Sequence, residues 1–188
     1  MTLDTSICRF FIALLPPLEI QDYAAQIKEY FAQNYHSVGA QKSPPHITLQ
    51  PPFEWKIEDL AILEQALASF AATQVAVPIT LNGFGAFPPR VIYINVLKTP
   101  QLLALQLDLM AYCEASLGII DLSKTRPFAP HLTVAFRDLS KQNFRVAWHE
   151  FHNREVEYEF IAAQLTLLMH DGKRWNVSAG FPFAPQED

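Results

Sequence analysis

Residues 45–49 have the sequence Pro-His-Ile-Thr-Leu, and residues 130–134, which begin 85 positions later, have the sequence Pro-His-Leu-Thr-Val. Two copies of one short element indicate a duplication within the chain. Pro100 follows Pro17 by 83 positions, so a further landmark repeats at nearly the same spacing. The period is too long, and the copies are too few, for a repeat array. We therefore predict two related lobes that face each other across a pseudo-twofold axis, with a cleft between them.

Each copy alternates polar and aliphatic residues, which is typical of a strand with one face in the core. His46 and Thr48 share one face in the first copy, and His131 and Thr133 share one face in the second. The aliphatic residues between and after them anchor each strand on its other side. The pattern predicts that two imidazoles and two hydroxyls line the cleft.

Two histidines at one pocket are sufficient to break or make a phosphodiester. Because the ordinary pKa of an imidazole is about 6.5, one ring can be neutral and act as a base while the other is protonated and acts as an acid. The threonine hydroxyls can donate hydrogen bonds to non-bridging phosphate oxygens. This chemistry requires no metal and no other cofactor. We predict catalytic roles for His46, His131, Thr48 and Thr133, and leave open which histidine is the base.

The sequence pattern outside the two motifs predicts strands and helices in an order that repeats once. We predict that they form one bilobal domain, which spans residues 1–188. The halves meet near residue 89, so that residues 1–89 and 90–188 form the two repeats. Alternation, helical periodicity and proline breaks predict helices at 18–35, 58–72, 101–117 and 140–151, and strands at 8–15, 44–50, 77–87, 90–97, 130–136, 158–170 and 174–181.

Composition limits the classes of function. The chain has 188 residues, of which 50% are hydrophobic and 18% charged, as expected for one compact unit. The formal net charge of −5 argues against a protein that coats long nucleic acid, but a local cationic pocket could still bind a small phosphorylated ligand or an RNA end. We expect such a small partner and a monomer, although the sequence leaves the oligomeric state open.

Cysteine content and hydropathy bear on the location of the protein. Cys8 and Cys113 lie in apolar stretches and are interpreted as reduced core residues. The apolar run of residues 10–15 is too short to cross a membrane and has no cleavage site after it. The sequence therefore predicts a cytoplasmic protein without a membrane segment.

The stretches "PPHITLQPPF" (44–53) and "APHLTVAFRDL" (129–139) resemble the paired signature motifs of the 2H phosphoesterase superfamily, in particular its 2′-5′ RNA ligase-like branch. The resemblance extends to "RFFIALLPP" (9–17) and "GFGAFPPRVIYINV" (83–96), and so covers most of the chain. It implies an α+β fold with two antiparallel sheets, flanked by helices, around a central cleft.

The resemblance also implies an activity, which is metal-independent hydrolysis of 2′,3′-cyclic phosphates on nucleotides or RNA ends. By the same resemblance, His46 and His131 are acid and base, and Thr48 and Thr133 bind the phosphate. Two alternatives remain at this point: 2′-5′ RNA ligation as the main activity, and a nucleotide-binding module that does not turn over. Binding alone, however, does not require a matched acid and base.

Further residues are candidates for substrate contacts. Gln50 stands where several members of the family carry a basic residue, so the cation expected there has to come from another position. Continued alternation would put Arg137 on the face of His131, although Asp138 could equally hold it at the surface. Arg90 is a weaker candidate. Phe53 and Phe136 could stack a base, but core packing is the more common role of phenylalanine.

The other histidines suggest no rival site. The pair in "HEFH" (149–152) lacks the spacing of a zinc-protease helix, and we interpret it, together with His36 and His170, as structural or superficial. The sequence contains no GxGxxG motif for dinucleotide binding, no GxxxxGK(S/T) P-loop motif and no GxSxG motif of the α/β-hydrolases.

Overall fold

The computed structural model describes residues 6–122 and 124–185 of the chain. Helices and strands follow in the predicted order, and short 3₁₀ turns at Gly39–Lys42 and Ile57–Asp59 precede two of them. The elements are β1 (Ile7–Leu14), α1 (Leu18–Tyr35), β2 (Ile47–Lys56), α2 (Leu60–Ala71), β3 (Val77–Phe87), β4 (Val91–Val96), α3 (Pro100–Leu117), β5 (His131–Ala135), α4 (Lys141–Phe151), β6 (Glu157–Ala162), β7 (Gln164–His170) and β8 (Trp175–Pro182).

The ends of the helices in the second half have clear local causes. At the start of α3, the Thr99 hydroxyl accepts a hydrogen bond from the backbone N–H of Leu102 at 3.2 Å. Gly118 follows the last turn of α3 with φ of 67°, a conformation that glycine adopts without a steric penalty. Ser140 caps α4 in the same way, since its hydroxyl accepts from the N–H of Asn143 at 3.0 Å.

Two four-stranded antiparallel sheets form the framework, with strand orders β2-β1-β7-β8 and β5-β4-β3-β6. In the two repeats, β1 corresponds to β4 and β2 corresponds to β5. These strands occupy the same positions in the two sheets, since β2 and β5 are edge strands and β1 and β4 lie next to them. Helix α2 contacts strands of the first sheet, α1 and α4 contact strands of the second, and α3 contacts β2 of the first sheet and β3 of the second. The predicted α+β fold with two helix-flanked antiparallel sheets is therefore confirmed.

The first half contributes one strand, β3, to the second sheet, and the second half contributes two strands, β7 and β8, to the first sheet. β3 belongs to the first half of the sequence but lies between β4 and β6 in the second sheet, and β7 belongs to the second half but lies between β1 and β8 in the first sheet. Each sheet is therefore built from both halves. The predicted boundary near residue 89 therefore does not coincide with a division between the sheets.

One prediction of local structure is wrong. The apolar run 158–170 was expected to form a single strand, but it is divided at Ala163 into β6 and β7, which belong to different sheets. At the crossing point, the carbonyl of Ala163 accepts a hydrogen bond from the backbone N–H of Phe183 at 2.9 Å. Both parts are apolar enough to pack on the core, so hydropathy alone does not reveal the division.

β2 is longer than predicted, since it continues through Pro51 and Pro52 to Lys56. It is the edge strand of its sheet. An edge strand tolerates prolines because their missing N–H groups can face away from the ladder. The two prolines that seemed to end the strand therefore lie within it.

The two faces of β1 pack in different places. Phe10, Ile12 and Leu14 are buried in the main core that both sheets share. Phe11 and Ala13 point to the other face, where they form a small cluster with Leu168. This second cluster supports the floor of the cleft on the side of the first sheet.

Two further observations concern the cysteines and the helices. Cys8 and Cys113 are free thiols, and Cys113 is buried in the core as predicted, whereas Cys8 is half-buried and packs against the core from its edge. Within the described ranges, no helix combines the length and the apolarity that a membrane-spanning segment requires.

Candidate active site

Burial of the two motif strands follows the predicted alternation. Ile47 and Leu49 of β2 are fully buried, and so are Leu132 and Val134 of β5. The histidine and threonine of each motif are half-buried on the opposite face. Each strand is therefore fixed by its aliphatic residues, which sets the direction of its polar residues.

The polar residues of both motifs meet at one cavity of about 420 Å³. His46, which directly precedes β2, and Thr48 of β2 reach it from one side, and His131 and Thr133 of β5 reach it from the other. These two edge strands come from different sheets and contact each other. The cleft between the sheets thus collects the duplicated residues at a single place.

Both imidazoles are oriented by the same kind of hydrogen bond. Nδ1 of His46 lies 2.7 Å from the carbonyl oxygen of Pro44, and Nδ1 of His131 lies 2.7 Å from that of Ala129. A carbonyl can only accept, so Nδ1 carries the hydrogen in both rings. Nε2 is left as the second ring nitrogen, which accepts when the ring is neutral and donates when it is protonated.

The surroundings favour the neutral form of both rings. Burial lowers the pKa of His46 to about 4, and the positive charges of Lys28 and His131 contribute in the same direction, against the hydrogen bond to Pro44. Burial also lowers the pKa of His131 from its ordinary value, and the hydrogen bond to Ala129 opposes this effect. His46 is thus the ring more strongly disposed to stay neutral.

Lys28 holds the segment that precedes His46. Its side chain is only 4% exposed, and its ammonium donates to the carbonyl of Ser43 at 2.9 Å. Burial lowers the pKa of Lys28 to about 8, so the ammonium remains mainly protonated at neutral pH. The same group therefore fixes the backbone next to His46 and places a positive charge behind it.

Aromatic rings restrict both histidines. The ring centroid of Phe11 lies 4.7 Å from that of His46, and the ring centroid of Tyr93 lies 5.2 Å from that of His131. Gly85 is opposite Tyr93 in the sheet, and a Cβ at residue 85 would collide with the tyrosine ring. Because residue 85 is a glycine, the Tyr93 ring can lie over this residue, in the position where it contacts the His131 ring.

A second cavity of about 290 Å³ shares Thr48 and His131 with the first and extends from His131 toward the middle of α3, where Gln106, Leu107 and Met110 line it. Phe128 and Arg126 line it. Lys124 also lines it and forms an ion pair with Glu114 at 2.7 Å. The paired motifs are therefore flanked by space on two sides.

The structure distributes the predicted substrate-contact residues unevenly. Phe136 lines the cavity of the histidines and is 40% exposed. Phe53 packs against Phe10, with ring centroids 6.2 Å apart, and lies in a separate depression together with Gln50. Of the two phenylalanines, Phe136 is thus positioned to meet a ligand in the cavity, and Phe53 packs on the core.

The placement of Arg137 on the face of His131 is wrong. β5 ends at Ala135, so the alternation does not reach residue 137. The Arg137 guanidinium lies over the ring of Phe136, at 5.4 Å from its centroid. Asp138 does not serve as a surface partner for it, because the Asp138 carboxylate accepts at 2.7 Å from the N–H groups of both Val38 and Gly39.

Arg90 precedes β4 rather than beginning it. Its backbone N–H donates to the carbonyl of Phe87 in the turn between β3 and β4, and its side chain is exposed. Phe87 contacts the His131 ring edge-on, with centroids 4.9 Å apart. Arg90 therefore lies in the turn that also holds Phe87, whose ring contacts the His131 ring.

Sequence reasoning missed part of the cavity wall. His170, interpreted as structural or superficial, lines the cavity together with Trp175 and Lys42. Its ring centroid lies 4.8 Å from that of Trp175 in an edge-on contact. No local motif marks these residues, since they reach the cavity through the β7-β8 hairpin and the 3₁₀ turn before β2. Within residues 6–122 and 124–185, no group of three or more histidine, cysteine or acidic residues is placed to hold a metal ion.

Duplicated antiparallel sheets with a pair of His-x-Thr strands at their common cleft define the class of the 2H phosphoesterases. The sequence profile of the 2′-5′ RNA ligase superfamily matches residues 16–174. The chain therefore belongs to the 2′-5′ RNA ligase superfamily of 2H phosphoesterases.

Individual relatives agree with this assignment. A putative phosphoesterase of Geobacillus kaustophilus is 27% identical over 92% of this chain and 95% of its own length. Another, from Bacillus cytotoxicus, is 29% identical over 90% and 94% of the two chains.

Solved structures share the fold. A protein of Thermus thermophilus superposes with a TM-score of 0.69 at 20% identity, covering 95% of this chain and all of its own. LigT of E. coli, crystallised with 3′-AMP, superposes with a TM-score of 0.66 at 22% identity, covering 96% of this chain and all of its own.

Proposed function

We propose that the protein hydrolyses 2′,3′-cyclic phosphodiesters on nucleotides or RNA ends, without a metal ion, by acid and base catalysis from two histidines. The observation that supports this most is the matched pair of imidazoles at one cavity, each with its Nδ1–H held by a carbonyl. Binding of a nucleotide at such a fold is illustrated by the complex of E. coli LigT with 3′-AMP.

In the proposed reaction, His46 is the base, because its pKa is lowered to about 4 and its Nε2 is free of a proton at neutral pH. Nε2 of His46 takes a proton from water as the water oxygen bonds to phosphorus. His131, in its protonated form, gives a proton to the 3′-oxygen as the bond from phosphorus to that oxygen breaks. The product is a 2′-phosphate, and the two rings exchange protons with solvent before the next turnover.

The threonines have a separate task in this proposal. The hydroxyls of Thr48 and Thr133 donate to the non-bridging phosphate oxygens, where negative charge is concentrated in the transition state. Both side chains reach the same cavity as the imidazoles. Since hydroxyls and an imidazolium supply the stabilisation, the reaction needs no metal ion.

The proposal is tested by incubating the purified protein with the four 2′,3′-cyclic mononucleotides and with an oligonucleotide that ends in a cyclic phosphate. We expect conversion to 2′-phosphates at an undiminished rate in excess EDTA. Loss of activity under chelation would indicate a metal enzyme. Formation of 2′-5′ linkages from the same oligonucleotide with a 5′-hydroxyl partner would favour ligation, and turnover of none of the compounds would favour a binding module.

The pH dependence of kcat/KM follows from the two histidines. The base must be neutral, so kcat/KM is expected to rise with pH through about 4, the pKa of His46. The acid must be protonated, so kcat/KM is expected to fall again as the pH passes the pKa of His131, which burial places below 6.5. A pH profile with substrate well below KM is the measurement, and a rate that climbs steadily into alkaline pH would contradict the paired mechanism.

A further inference from the structure

A further depression, of about 550 Å³, lies beside the cavity of the histidines. The two share Lys42, Ser43 and Trp175, which form the wall between them. Arg174 and Lys28 line this depression but not the cavity of the histidines. The two spaces therefore adjoin at these three residues, and we call the second one the basic groove, defined by Lys28, Lys42, Ser43, Arg174 and Trp175.

Positive charges outnumber negative charges in the lining of the basic groove. Lys28, Lys42 and Arg174 are cationic, whereas the lining contains one carboxylate, that of Glu29. Both oxygens of this carboxylate are already engaged, since they accept from the side-chain amides of Gln33 at 2.7 Å and Gln41 at 2.6 Å. The groove thus concentrates positive charge in a chain whose formal net charge is −5. Such a local reversal of sign is typical of a site for an anion.

Lys28 is the buried element of the groove. Its ammonium donates to the Ser43 carbonyl, and the ion pairs found among the described residues do not include it. A buried ammonium without a carboxylate partner is costly, and burial accordingly lowers the pKa of Lys28 to about 8. An anion in the groove would compensate this charge. Lys42 and Arg174 are exposed at the rim and can approach the same anion.

The geometry of a nucleotide matches these two neighbouring spaces. In a ribose ring, the 2′- and 3′-oxygens lie at one end and the 5′-oxygen at the other. A cyclic phosphate held by His46 and His131 therefore leaves the 5′-oxygen pointing away from the histidines. Trp175, which both spaces share, offers an apolar surface between the two ends.

We propose that the basic groove binds a second phosphate, carried on the 5′-oxygen of the nucleoside whose 2′,3′-cyclic phosphate lies at the histidines. This inference rests on the proposed function and narrows its substrate class. The preferred substrates are RNA ends, or nucleoside cyclic phosphates that also bear a 5′-phosphate, rather than bare cyclic mononucleosides. A terminal 5′-phosphate and an internucleotide phosphate share this chemistry, and the two are distinguished by experiment.

Calorimetric binding of adenosine 3′-monophosphate and adenosine 3′,5′-bisphosphate tests the groove without any need for turnover. We expect the 5′-phosphate to lower Kd by about tenfold to a hundredfold, as charge-assisted hydrogen bonds do. Arg174→Ala, at a position that lines the groove and not the cavity of the histidines, is expected to remove most of this preference while leaving Kd for the 3′-monophosphate nearly unchanged. Lys42→Ala, in the wall that the two spaces share, is also expected to remove most of this preference. Arg145→Ala, which removes an equal charge from an exposed position on α4, is the matched control.

Kinetics then separate the sources of the second phosphate. kcat/KM is compared for a 2′,3′-cyclic mononucleotide, its 5′-phosphorylated form and a dinucleotide with a terminal cyclic phosphate. A gain for both phosphorylated forms, lost in the two groove variants, supports the proposal, and a gain for the dinucleotide alone assigns the groove to the internucleotide phosphate. Equal kcat/KM values for all three substrates, together with equal Kd values for the 3′-monophosphate and the 3′,5′-bisphosphate, would contradict the proposal that the groove binds a second phosphate. Tighter binding of the bisphosphate without hydrolysis of any substrate would instead contradict the proposed function and support the second phosphate site in the groove.

Discussion

His131→Ala is expected to lower kcat/KM for a 2′,3′-cyclic nucleotide by about two to four orders of magnitude, the range that a general acid or base contributes. The variant loses the group that protonates the leaving 3′-oxygen, while β5 remains fixed by Leu132 and Val134, which are fully buried. The fold should therefore persist, and thermal unfolding of the variant checks this. Initial rates at several substrate concentrations give the measurement.

The same loss is expected for His46→Ala, because the base is as necessary as the acid. The double variant should be little slower than the worse single variant, since two groups that act in one step are not additive. His149→Ala is the matched control, because His149 is exposed on α4. A folded His131→Ala or His46→Ala protein with the wild-type kcat/KM would show that the imidazoles do not perform the chemistry.

Thr48→Val and Thr133→Val are each expected to lower kcat by about 10²-fold to 10³-fold, as is typical when one donor to a developing negative charge is removed. Valine keeps the shape and branching of threonine, so the change removes little except the hydroxyl. Both threonines lie half-buried on the cavity side of their strands, and their aliphatic neighbours carry the packing. The unfolding temperature should accordingly change little.

Serine variants sharpen the threonine test. Thr48→Ser and Thr133→Ser retain a donor and should recover most of the lost rate, although they remove the same methyl group from each site. Thr80→Val, on the half-buried face of β3, is the matched control for loss of a strand hydroxyl. If the serine variants were as slow as the valine variants, the hydroxyls would not be the donors to phosphate.

The sequence was most informative where local chemistry determines structure. Proline breaks and a single helical stripe predicted α1 at Leu18–Tyr35, with the bounds that the structure has. Alternation within residues 45–49 and 130–134 predicted which side chains face the cleft, because the aliphatic residues have no other way to be buried. The duplication of the motif predicted that both sets meet, which follows from the matching strand orders of the two sheets.

Other features depend on tertiary structure that local patterns do not encode. The assignment of β3 to the second sheet, and of β7 and β8 to the first, is decided by how the halves pack, which the hydropathy of these strands does not reveal. Arg137 was misplaced because alternation was extended beyond the end of the strand. Trp175 and His170 reach the cavity from a hairpin about forty residues after the second motif, and nothing in their immediate sequence indicates a site.

The central claim is that two imidazoles face a single phosphorus atom, and long-range ¹H–¹⁵N spectra of the histidine rings test it most directly. Titration with adenosine 2′-monophosphate, the product of the proposed reaction, should shift the Nε2 signals of His46 and His131 together, with one shared Kd. The phosphate should also raise the pKa of both rings, since an anion favours the imidazolium. Signals of the exposed His36 and His149 should stay unchanged and serve as internal references. A phosphate that shifts only one of the two rings, or neither, would contradict the claim.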